Sequence, residues 1–142
     1  MSTGGIRRPK SLREVAAETE TYADFGAHLK DFLHEFDFAR QGGRPLHPFL
    51  AEKPPRLAAR FPQGNICDAF LAATADYLSR SHGLTTPKWA LDEDLVLEEP
   101  WFSEEFPSVR MRLLRDTPSA FKDKNLFVFE SALSVEIGRA HV

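Results

Sequence analysis

The chain has 142 residues, 42% of them hydrophobic and 12 of them Phe. That is enough apolar material for a buried core, in a length too short for two ordinary domains. A net charge of −3 and a pI near 5.9 lack the basic surplus with which dedicated nucleic-acid binders displace counterions, so nucleic acid is a disfavoured partner.

The single cysteine, Cys67, excludes an intramolecular disulfide and any zinc site built on two thiolates of one chain. No run approaches the roughly 18 apolar residues of a membrane span. Arg7, Arg8 and Lys10 are not followed by the apolar stretch of a secretory signal. The expected location is the cytoplasm, and no cofactor is expected.

Residues 1–10 read as a disordered, basic lead-in. Ser11 and Glu14 have capping-box spacing and start a short helix from Leu12 to about Glu20. Tyr22, Phe25, Leu29, Phe32, Leu33 and Phe36 then recur at intervals of three and four. One apolar stripe results, predicting a helix from about Thr21 to Arg40 that Gly42, Gly43 and Pro45 stop.

Residues 41–64 hold five prolines and predict a connector with short turns at Pro48–Glu52 and Arg56–Arg60. Its expected anchors are Leu46, Phe49, Leu50, Leu57 and Phe61. A second long helix is predicted from Asn65 to His82, with Ile66, Phe70, Ala73 and Tyr77 as its stripe. Cys67, Leu71 and Leu78 lie beside that stripe, and Gly83 ends the helix.

Beyond Leu84, prolines at 87, 100, 107 and 118 break the chain into short pieces. They are a turn at 88–91, an apolar segment at 95–97, a Pro100-Trp101-Phe102 knot and a helix from Pro107 to about Leu114. A turn at 118–122, an extended 125–129 and the start of a helix at 130–135 follow. The expected fold is mostly α: a small irregular bundle of two long helices, short proline-bounded helices and an extended C-terminal segment. It forms one helical domain over residues 11–135. Residues 136–142 back-translate as GAG ATC GGA AGA GCA CAC GTC, which contains the start of a common sequencing adapter. They are expected to be artefact, with the natural C-terminus lying beyond Val135.

No catalytic constellation emerges. His34-Glu35-Phe36-Asp37-Phe38 begins like HExxH but has Phe38 where the second zinc ligand belongs, so no metal is expected. Cys67 falls in the first turn of a helix, where the dipole favours a thiolate, but its flank is apolar and a buried, inert thiol is expected. No nucleophile elbow, Walker loop or dinucleotide fingerprint is present.

Carboxylates concentrate at 92–105, and cations follow at Arg110, Arg112, Arg115, Lys122 and Lys124. Intramolecular pairing between the two segments is expected. Trp89, Trp101, Phe102 and Phe106 are bracketed by prolines, and two readings fit them. They lid the long helices, or they form a recognition surface, tryptophan and arginine being the residues that dominate binding hot spots.

The pattern His82-Gly83-Leu84, Pro87-x-Trp89, Pro100-Trp101-Phe102, Arg112-x-Leu114, Thr117-Pro118-x-x-Phe121 and Asn125-x-Phe127-Val128 resembles an uncharacterised group of short bacterial helical proteins. The resemblance spans residues 82–135. It implies a helical protein fused to, or encoded beside, helix-turn-helix regulators or toxin–antitoxin-type genes, and it carries no catalytic residue. The resulting expectation is a non-enzymatic interaction or regulatory domain, antitoxin-like, with another protein as partner. Trp89, Trp101, Phe102 and Arg112 are expected to shape the partner surface. Two alternatives stand beside it. One is a DNA-associated regulator using the basic segment; the other is a small enzyme using Cys67 or a histidine.

Overall fold

The computed structural model describes residues 8–133 and is mostly α, as the helical periodicity predicts. Residues 1–7 of the lead-in, and the tail read as adapter sequence, lie outside the described residues. Of the lead-in, Pro9 is buried and Arg8 pairs with Glu35 at 3.6 Å.

Helix α1 (Leu12–Glu18) opens with Ser11 Oγ accepting from the Glu14 amide at 3.1 Å. Helix α2 (Tyr22–Gln41) opens with a full capping box between Thr21 and Asp24. Helix α3 (Gly64–Ser81) is the second long helix. Both long helices end alike, with Gly43 and Gly83 at positive φ. In each, the next amide reaches back five residues, Arg44 to the Ala39 carbonyl and Leu84 to the Ser79 carbonyl.

The stripe of α2 is buried: Phe25, Leu29, Phe32, Leu33 and Phe36. Phe25 meets Phe70 near the starts of the two helices, and Phe36 meets His82 near their ends. Helices α2 and α3 therefore run in the same direction. The connector must travel back the length of α2, about 30 Å for twenty residues. Extended, proline-rich chain is suited to that return, and it is pinned by buried Leu50 and Leu57 and half-buried Leu46, Phe49 and Phe61. Its 3-10 turns fall at His47–Phe49 and Leu57–Ala59.

The second of these turns is locked to the start of α3. Asp68 Oδ1 and Oδ2 accept the Leu57 and Ala58 amides at 2.7 and 3.0 Å. One helical turn earlier, a Cβ on Gly64 would strike the Leu57 carbonyl and lie 2.7 Å from the Ala58 nitrogen. Only glycine admits so close an approach. From the same turn Arg60 donates to the Ala16 and Thr19 carbonyls at 2.9 and 3.3 Å, satisfying the end of α1.

Helix α3 has a core on each side. Cys67, Leu71 and Leu78 pack into the α2 core, whereas Ile66 and Ala73 face a second core with Leu97, Phe121, Leu126 and Val128. Phe70 and Tyr77 border both. The flank of the predicted stripe thus meets α2, whereas within the stripe Ile66 and Ala73 serve the C-terminal half and Phe70 and Tyr77 are shared between the two cores. That half holds α4 (Pro107–Asp116), α5 (Ser119–Lys122) and two short parallel strands, β1 (Trp101–Phe102) and β2 (Leu126–Phe127). Sequence periodicity does not reveal a pair of two-residue strands; the segment reads as an aromatic knot.

Candidate functional site

Helix α4 begins with proline at its first position, ends in Thr117 and buries one residue, Leu113. At 100° per residue Val109 and Leu113 share the inward side, and Pro107, Met111 and Leu114 share the outward one. Phe106 and Met111 are each 72% exposed and Leu114 is 51% exposed. Such a stripe on one short helix is unusual for apolar side chains in water.

Arginines border the stripe. The Arg110 guanidinium lies 4.8 Å from the centre of the Phe102 ring, and Phe102 is itself stacked on Phe127 at 4.8 Å. Arg112 lies 5.2 Å from the Phe129 ring, and Arg115 pairs with Asp116 at 2.7 Å. These contacts correct the expectation of pairing with the acidic segment. Among the described residues no ion pair joins 92–105 to 110–124, and Asp92 pairs instead with Arg56 at 3.2 Å. The cations of α4 lie beside aromatic rings and a neighbouring aspartate, and among the described residues Asp94, Glu98, Glu99, Glu104 and Glu105 form no ion pair.

Across β1 lies a cleft of about 640 Å³. Ile66, Val96 and Trp101 give it apolar lining, Asp94, Glu98 and Glu99 line it with carboxylates, and Arg56 is its one cation. The cleft wall at 97–101 is fixed by the Leu97 amide donating to the Lys124 carbonyl and by the parallel β1–β2 pairing, in which the Trp101 and Ser103 amides donate to the Asn125 and Phe127 carbonyls. Asn125, at φ +67°, turns its own amide group onto the Leu97 carbonyl at 3.0 Å. Asparagine is among the few residues that tolerate that left-handed conformation.

The four residues expected to shape a partner surface do not converge. Trp89 is half-buried in the α2 core, its indole nitrogen donating to the Leu50 carbonyl at 3.0 Å. Trp101 packs edge-on against Phe70 and lines the cleft. Phe102 lies under Arg110 of α4, and Arg112 is itself a residue of α4, beside the Phe129 ring. The residues that sequence reasoning passed over are Met111 and Leu114, whose exposure is invisible until it is known that Leu113 alone docks the helix.

Elsewhere the polar groups are structural. Asp76 is buried and takes a two-pronged bond from Arg80 and another from Thr86, and Arg80 extends to Asp123. Burial pushes the Lys124 ammonium below its ordinary value, with Asp76 and Asp123 pulling the other way. Burial also raises the Asp68 carboxyl, against the pull of the Leu57 and Ala58 amides. Cys67 is 1% exposed, and burial, with Asp68 and Asp24 nearby, pushes its thiol up to about 12. That is opposite to what a nucleophile needs. Among the described residues no group of three or more His, Cys, Asp or Glu is placed to hold a metal ion, and no helix is long and apolar enough to cross a membrane. No protein-family description, no curated protein and no solved structure matches the chain.

Proposed function

We propose that this chain is a non-enzymatic protein-interaction module that engages its partner through α4. The observation that carries the reading is the uncovered pair Met111 and Leu114 on α4, bordered by Arg110 and Arg115, with exposed Phe106 just before the helix. Apolar anchors inside a ring of arginines favour a partner surface with an apolar groove and carboxylates at its rim. On the sequence resemblance, the setting is a cytoplasmic, antitoxin-like or regulatory component of a bacterial two-gene system, with the neighbouring gene product as partner.

Two observations weigh against the alternatives. The buried Cys67 thiol is protonated at neutral pH, which disfavours thiol chemistry. Of the basic segment, Lys124 is buried, and Asp116 and Asp123 interleave with the remaining cations, which disfavours a phosphate-binding face.

The test is calorimetric titration of the neighbouring gene product with the native chain and with the double variant Met111→Glu, Leu114→Glu. The expected result is binding by the native chain and a loss of at least about tenfold in the variant, with unfolding unchanged. A native chain that neither binds the neighbour nor relieves its toxicity would count against the reading.

A further inference from the structure

We infer that the α4 face seats in the acidic cleft of a second copy of this chain, so that the protein self-associates head to tail. The inference rests on the reading of α4 as a docking face, for which a second copy of the chain and the neighbouring gene product would compete. Charge and shape are complementary. The helix offers Met111 and Leu114 between Arg110 and Arg115; the cleft offers Ile66, Val96 and Trp101 with Asp94, Glu98 and Glu99, and its single cation, Arg56, is already paired with Asp92. None of those three carboxylates has an ion-pair partner among the described residues.

The geometry also says why the contact joins two molecules. Successive residues of a strand point to opposite faces. On β1, Trp101 lines the cleft and Phe102 lies under Arg110 of α4. Cleft and helix therefore flank β1 on opposite sides, and Leu113 holds the helix there. A molecule's own α4 does not reach its own cleft. A contact between two different patches of the same chain is heterologous, and it propagates into a ring or an open chain rather than stopping at a two-fold pair.

Sedimentation velocity of the full chain, from low micromolar to near-millimolar concentration and at low and high salt, tests this. The expected average mass rises past that of a dimer with concentration and falls back when salt screens the charges. Two charge-reversed proteins, Glu98→Arg with Glu99→Arg and Arg110→Glu with Arg115→Glu, are each expected to associate at least about tenfold more weakly. Mixed in equal amounts they should recover association, because each then meets an opposite charge. Circular dichroism confirms that each variant is folded, and Met111→Glu with Leu114→Glu blocks the helix without touching an arginine. A native chain that stays monomeric throughout, or association indifferent to both reversals, overturns the inference. If that monomer still binds the neighbouring gene product through α4, only self-association falls; if it binds nothing, the docking role of α4 falls with it.

Discussion

Twelve of the eighteen residues of α3 are buried, whereas α4 buries one of ten. The first helix has a core on each side, a glycine pressed against the Leu57 carbonyl and an aspartate that caps the neighbouring turn. The second lies against β2 through Leu113 and turns Met111 and Leu114 outward. Hydrophobicity is thus placed in two ways: α3 removes apolar surface from water to hold the fold, and α4 leaves Met111 and Leu114 in water, the face proposed above to meet a partner.

The sharpest way to break the comparison is to make the same change at two glycines. Gly64→Ala drives a Cβ into the Leu57 carbonyl and is expected to cost about 3 kcal/mol, lowering the melting temperature by on the order of 10 °C. Gly26→Ala sits in the exposed interior of α2 with nothing within 4 Å of the added carbon. It should stabilise by about 0.5–1 kcal/mol through helix propensity alone. Denaturant unfolding of the two variants checks both the sign and the size.

The next largest effect separates the two sides of α4. Leu113→Ala removes the residue that docks the helix and is expected to cost about 2 kcal/mol. Leu114→Ala, one position on, should change stability by less than about 0.5 kcal/mol. Partner binding should reverse the order, falling more for Leu114→Ala than its stability does.

A smaller effect appears in alkali, on the α3 side. Burial keeps the Cys67 thiol protonated up to about 12, while in the unfolded chain it ionises near 9.0. Between those values the unfolded chain has shed a proton that the folded chain retains, so stability falls as pH rises. The slope is up to about 1.4 kcal/mol per pH unit. Tyr77, also pushed up to about 12 by burial and by its bond to Glu130, adds a slope of the same sign above 10.0. Cys67→Ala should flatten the stability–pH curve between 9.0 and 10.0, and an unchanged curve would show that the thiol is reached by water. Helix α4 contributes no buried ionisable group to this loss.

What was readable beforehand follows from how local each signal is. The stripe from Tyr22 to Phe36 and the glycine stops at 42–43 and 83 place α2 and α3 to within a residue at each end, because caps and periodicity are properties of neighbouring residues. The proline-bounded turns and their anchors follow for the same reason. Three other features depend on distant partners. That Gly64 must be glycine depends on Leu57 arriving from another element. That Leu71 rather than Ile66 faces α2 depends on a second core whose residues come from 97–128. The exposure of Met111 and Leu114 depends on which side of α4 meets β2, and a ten-residue helix with apolar residues on both sides does not declare it. The acidic and basic segments mislead for the same reason: closeness in sequence suggests pairing, whereas Asp92 meets Arg56 from the connector and the α4 arginines meet Phe102, Phe129 and Asp116.

Native-state hydrogen exchange on the dilute chain measures the two helices side by side. The central amides of α3 are expected to exchange only on global unfolding, and those of α4 by local opening that costs several kcal/mol less. Amides of α4 as well protected as those of α3 would mean that α4 belongs to the packed frame, and the division between a holding helix and a presented one would be wrong.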